Sequence, residues 1–160
     1  QQADMAAEGK PIVVRPSYDI LKTLVNEHGR EGKKNGKGFY DYPTEGDKHL
    51  WPDLINLYPP KSEQPSQQDL VDRLMFIQAN ESAKCYEENV VRSVADTNIG
   101  SIFGWGFAPQ HGGTLQFINA MGVSAFVERS RELAAKYGER FEPAQILLDM
   151  AVKGETFSDD

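Results

Sequence analysis

A chain of 160 residues, 39% hydrophobic and 10% aromatic, carries enough apolar surface for one ordinary core, or one core plus a fragment of another, and too little for two complete domains. Its net charge of -7, with lysines and arginines scattered along the chain, excludes a nucleic-acid surface, because phosphate binding needs clustered basic groups. No apolar run approaches the roughly 20 residues of a membrane span, and the single cysteine, Cys85, excludes an internal disulfide framework and fits a reducing compartment, so a soluble cytoplasmic chain is expected.

In chain order, Gln1–Gly9 is polar and alanine-rich and reads as the frayed end of a helix whose beginning is missing. Ile12–Val14 is a short extended piece that stops at Arg15-Pro16, since proline pushes the preceding residue out of helical geometry. Ser17 then caps a helix over Tyr18–His28, with Ile20, Leu21, Leu24 and Val25 on one face and Gly29 as its stop. The following stretch sets glycines 29, 32, 36 and 38 among lysines 33, 34 and 37 before the aromatic pair Phe39-Tyr40. A phosphate cradle is the tempting reading, but no GK followed by Ser or Thr occurs and Pro43 denies the helix that would face the phosphate. A turn that delivers Phe39 and Tyr40 to an apolar surface is the better reading.

Residues 44–64 have the composition of a linker, yet Trp51, Leu54, Leu57 and Tyr58 make it a strap rather than a free tether. Ser66 and Asp69 form a variant capping box. A long helix follows from Gln67 to about Val91, with Val71, Met75, Ala79, Ala83, Tyr86 and Val90 on its inward stripe and Leu70, Leu74 and Ile77 beside it. A short helix over Ala95–Phe103 breaks at Gly104 and Gly106, turns at Pro109 and restarts at Gly112-Gly113, a corner that brings two backbones close together. Val123–Tyr137 is a further helix closed by Gly138. Pro143 opens the last one, with Ile146, Leu147, Met150 and Val152 inward and Gly154 as the stop. The fold class is therefore all-α, about five helices in the main domain. There is also a weak echo: Pro16, Ile20-Leu21, Leu24-Val25, Gly29 and Phe39 parallel Pro143, Ile146-Leu147, Met150-Ala151, Gly154 and Phe157.

Chemistry is sparse. His28, His49 and His111 lack the spacing of a metal site, no GxSxG or GxGxxG occurs, and Cys85 reads as a small buried side chain. No catalytic, cofactor-binding or metal residue is therefore predicted. Asn80 and Glu81, polar residues inside an apolar stripe, are read as a structural pair that ties the long helix to backbone groups of the glycine corner.

The stretch Gly32–Tyr42, GKKNGKGFYDY, behind a proline-opened helix, resembles the end of the C-terminal domain of L-3-hydroxyacyl-CoA dehydrogenases. Asn80–Asn119 and Glu139–Phe157 resemble the further C-terminal domain of the multifunctional fatty-acid oxidation proteins of the α-chain type. The resemblance implies the tail of a first helical domain at 1–43, a linker strap at 44–64 and a second, related helical domain at 65–158. It also implies that NAD and the reacting groups belong to upstream dehydrogenase domains, with a hydratase domain as a further candidate neighbour. This chain would then support them by pseudo-dimer packing through Phe103, Trp105, Phe107, Pro109, Gly112 and Gly113. A free-standing helical protein-interaction module is the alternative. Self-association of the exposed apolar surface is a further expectation in either case.

Overall fold

The computed structural model describes residues 16–159, so the pieces expected at Gln1–Gly9 and Ile12–Val14 lie outside the described residues. The chain divides into two compact units, with the boundary between Gln64 and Pro65. Its described residues hold seven α-helices and one two-stranded sheet, an all-α fold.

The first unit opens with α1 (Pro16–Lys22), which runs on as a π-helical turn over Thr23–Glu27. Leu24 alone of the expected apolar face is buried; Leu21 and Val25 are exposed. The glycine-lysine loop is built around Arg30, which is itself buried. Its Nε donates to the Gly38 carbonyl at 2.7 Å, its Nη2 pairs with the Asp41 carboxylate, and its guanidinium lies 4.2 Å from the Trp51 ring centre. An arginine so placed satisfies its fork of donors with a turn and spreads its flat face over an aromatic ring. Strands β1 (Tyr40–Asp41) and β2 (His49–Leu50) pair antiparallel, with Tyr40 opposite Leu50, and a short helix α2 (Leu54–Leu57) follows. The segment read as a strap thus returns β2 and Trp51 to the loop, while Phe39 and Tyr40 stay exposed.

The second unit packs five helices: α3 (Gln67–Glu87), α4 (Val94–Trp105), α5 (Thr114–Met121), α6 (Val123–Tyr137) and α7 (Gln145–Lys153). Ser66 Oγ accepts from the Asp69 N–H at 3.0 Å, the expected cap of α3. That helix stops at Glu87, short of Val91, where Asn89 takes a positive φ of 57°. Of the two glycines expected to break the helix, Gly104 stays within α4 and Gly106, with a φ of 80°, ends it after Trp105. At the centre Phe76 stacks on Phe126, ring centres 4.4 Å apart, and meets Phe117 edge-on. Leu115, Ile118, Leu133 and Leu147 close the core around them. Val152, expected inward on α7, is 89% exposed.

Gly113 brings two backbones as close as the corner demands: a β-carbon there would lie 2.5 Å from the Asn98 Cα. In return Asn98 Oδ1 accepts from the N–H groups of Leu115 and Gln116 at 2.9 and 3.1 Å, capping α5 from α4. The chain end is held in the same way. Asn119 donates to the Phe157 carbonyl at 2.8 Å and accepts from its N–H at 2.9 Å, and Phe157 is buried edge-on to Tyr86. Its counterpart in the sequence echo, Phe39, is exposed. Asp159 then caps the first N–H groups of α4 at Val94 and Ala95, 2.5 and 2.6 Å away.

Asn80 and Glu81 do not form a pair. Successive residues of a helix point about 100° apart, and here Asn80 is buried while Glu81 faces solvent and pairs with Lys84 at 2.8 Å. Nor does Asn80 reach the glycine corner. Its Nδ2 donates to the Glu142 carbonyl at 2.7 Å and its Oδ1 accepts from the Ala144 N–H at 2.9 Å, so it anchors the approach to α7. Asn80→Ala should therefore lower stability by about 1–3 kcal/mol, since the buried Ala144 N–H and the part-buried Glu142 carbonyl lose their partner. Glu81→Ala should change it by less than about 0.5 kcal/mol. Urea unfolding followed by circular dichroism measures both, and equal losses would contradict the geometry.

Candidate interaction surface

The rotation of α3 decides what this unit shows to its surroundings. Asp69, Asp72, Phe76, Ala79, Asn80 and Ala83 face inward, so the opposite side exposes Leu70, Val71 and Leu74, the last at 66%. The stripe expected to be buried was therefore placed too far round: Val71 and Val90 are exposed, and Phe76 takes the central core position. Beside this face α4 adds Ile99, Phe103 at 85% exposure and Trp105 at 56%. Isolated apolar residues on a surface are ordinary, but here six large ones are exposed on two neighbouring helices.

Between the two helices lies a groove of about 560 Å³. Ile77, Cys85, Val91 and Trp105 supply its apolar walls, and Gly100 and Gly104 flatten the side formed by α4. The Trp105 indole N–H donates to Gln78 Oε1 at 2.9 Å, which fixes that ring at one end of the groove. Glu81 and Asp96 are the acidic groups of the lining, and no lysine or arginine is among the residues that line it.

Of the six residues expected at an inter-domain contact, Phe103, Trp105, Pro109 and Gly112 are exposed. Phe107 is a correction: it is 2% exposed, edge-on to Phe117 in the core, because the left-handed Gly106 turns the chain back inward. Gly113 is buried against Asn98 for the reason given above. The sequence reading missed Leu70, Val71, Leu74 and Ile99 as outward residues. For the three on α3 the signal was present in Asp69 and Asp72, which fall on the opposite side of that helix and find a basic partner in Arg129.

The titratable groups are dispersed. His28 leans on Trp51, His49 Nε2 sits 3.7 Å from Asp41, and His111 packs on Phe107 and Phe117. No three His, Cys, Asp or Glu side chains among the described residues are grouped to hold a metal ion. The strongest electrostatic feature is structural. Arg129 reaches Asp69 at 2.6 Å, Asp72 at 2.7 Å and Glu132 at 2.7 Å, while Lys136 and Tyr137 reach the other Asp69 oxygen at 2.5 and 2.7 Å. Hydrogen bonds from Lys136, Tyr137 and Arg129 hold the Asp69 carboxyl well below the usual aspartate range. Glu132 and then Asp69 hold the Arg129 guanidinium above its ordinary value, and Asp69 does the same for Lys136.

No helix among the described residues is long and apolar enough to cross a membrane. No known protein-family profile matches the chain. Individual relatives do. The chain is 37% identical over 165 aligned residues to the fatty acid oxidation complex subunit alpha of Vibrio campbellii, an alignment covering 98% of this chain and 23% of the relative. Against the subunits of the same name from Vibrio parahaemolyticus and Vibrio vulnificus the identity is 36% in each case, over 96% and 98% of this chain. The chain thus spans about a quarter of the length of the curated relatives it matches, which covers 23% of each.

A depressed Asp69 pKa stabilises the fold above the unfolded value of about 3.9 and ceases to do so as pH falls toward the folded value. The denaturation midpoint of the wild-type chain should begin to drop below about pH 5 and keep falling to about pH 1, and Asp69→Asn should be less stable at pH 7 with a shallower acid loss. Guanidinium titrations at several pH values check this, and an unchanged pH slope in Asp69→Asn would exclude the carboxylate as its source.

Proposed function

We infer that this chain is the C-terminal helical portion of a multifunctional L-3-hydroxyacyl-CoA dehydrogenase of fatty-acid β-oxidation, in which it supports the catalytic domains by packing. The observation that carries this reading is the similarity of nearly the whole chain to about a quarter of the fatty acid oxidation complex alpha subunits. The uncovered apolar face of α3 and α4 supports it physically. A unit with a closed aromatic core has no internal need to expose Leu74, Phe103 and Trp105.

In this reading residues 1–43 end a first helical domain, 44–64 connect, and 65–158 form a second, related domain. Phe103, Trp105, Pro109 and Gly112 are the contact residues, while Phe107 and Gly113 shape the corner that presents them. NAD belongs to the full-length enzyme. A dinucleotide site needs a glycine-rich turn between a strand and a helix whose N–H groups meet the pyrophosphate, a unit that the rest of the longer polypeptide would supply. The chain's own contribution is therefore rigidity: capped helices and a buried polar network that hold one face in a fixed shape.

The purified chain, given a 3-hydroxyacyl-CoA and NAD, should produce no NADH above the protein-free rate. Absorbance at the NADH band reads this directly, and measurable turnover would place reacting groups here and defeat the reading.

A further inference from the structure

Residues 155–159 belong to no helix or strand, yet three helices of the second unit hold them. From α5, the Asn119 side-chain amide takes both backbone groups of Phe157, donating to its carbonyl at 2.8 Å and accepting from its N–H at 2.9 Å. From α3, Tyr86 meets the Phe157 ring edge-on, with ring centres 5.7 Å apart. At the start of α4, the Val94 and Ala95 N–H groups donate to the Asp159 carboxylate. Of the five residues Phe157 alone is buried.

These contacts divide the work of recognition. An amide that takes both backbone groups of a residue fixes the path of the segment whatever its side chain. Sequence is read on either side of that clamp. The recess beside Tyr86 takes an aromatic ring, and the first turn of the twelve-residue α4 takes a carboxylate, to which it offers free N–H groups and the positive end of its dipole. A lysine in place of the aspartate would meet donors and like charge instead. The segment is also separable from the helix before it. Gly154, with a φ of 70°, caps α7, and the Glu155 N–H donates to the Met150 carbonyl at 3.0 Å, so that helix is complete before the contact begins. Releasing residues 156–159 breaks no ladder of helix or sheet.

We propose that Asn119, Tyr86 and the first turn of α4 form a recognition site for an extended Phe-x-Asp peptide, with residues 155–159 as its resident ligand in cis. The resident segment is then a competitor. Tethered through Gly154, it stands at an effective concentration on the order of millimolar, and a second segment of the same pattern enters only as the first leaves.

The test adds the free peptide Gly-Glu-Thr-Phe-Ser-Asp-Asp to the wild-type chain at about 10 mM, several times that effective concentration, and reads amide hydrogen exchange by NMR. The Phe157 amide of the chain should exchange at least tenfold faster, because its segment has been displaced from Asn119. The Val94 and Ala95 amides should keep their protection, because the incoming aspartate replaces Asp159. The Leu133 amide, in the middle of α6, should not change. A peptide with alanine in place of the phenylalanine should do none of this, and one with asparagine in place of its first aspartate should need at least tenfold more. In the full chain, Phe157→Ala with Asp159→Ala should bind the labelled peptide at least tenfold more tightly than wild type does, by fluorescence anisotropy, and adding Asn119→Ala should abolish that binding. Should this variant unfold, exchange in the wild-type chain decides alone. A Phe157 amide that exchanges only as slowly as Leu133, with or without peptide, shows a segment that leaves only when the whole unit unfolds and overturns the proposal. An alanine peptide as effective as the phenylalanine one overturns it as well.

Discussion

The contact of Asp69 and Asp72 with Arg129 settles the rotation of the longest helix, and with it the character of the surface. An amphipathic helix is free to turn about its axis until a few directional contacts fix it, and apolar packing alone tolerates errors of tens of degrees. Here the fixing groups are polar and sit along the inward face of α3. Near its start the two aspartates meet Arg129, Lys136 and Tyr137 from α6, and near its middle Asn80 meets the backbone at 142 and 144. With carboxylates committed inward, Leu70, Val71 and Leu74 have nowhere to go but out. The cost of an ion pair near the core is offset because every strong donor in the cluster has an acceptor.

The neighbouring helix is held by a different logic. Twelve residues that include two interior glycines make α4 a poor helix on propensity alone. Its stability comes from its ends. Ser93 and Asp159 satisfy the N–H groups of its first turn, and from its middle Asn98 and Ser101 satisfy those that open α5. The chain terminus takes part because Asn119 clamps Phe157 by both backbone groups, which brings Asp159 to the start of α4.

Much of this was legible in the sequence, and the part that was not has a common cause. The bounds of α6 follow from its period and from Gly138, and the cap of α3 from Ser66 and Asp69, because these signals are local. The close backbone approach at the corner was legible too, since only glycine permits it at position 113. The facing of α3 was misjudged because apolar residues occur on both of its sides, and hydropathy cannot say which side finds a core. Asp69 and Asp72 are what break the tie, and they do so only through Arg129, nearly sixty positions later. Phe107 was read as a contact residue because it shares the corner with Phe103 and Trp105. One left-handed residue, Gly106, sends it to the opposite side. Asn80 found partners, as a buried amide must, but which partners depended on where the chain before α7 passes.

These two modes of support explain how the unit keeps an apolar face without collapsing it. Hydrophobic burial is non-directional, so a face lined with Leu70, Leu74, Ile99 and Phe103 would lower its free energy by folding over on itself if the backbone could yield. It cannot, because α3 is pinned by ionic and amide contacts on its buried side and α4 is pinned at its ends. Neither set of contacts uses the outer surface. The groove between the helices is therefore held open by interactions that a partner need not break. A partner that docks there gains the burial of the face at little cost in reordering, since the surface it meets is already in the shape it needs.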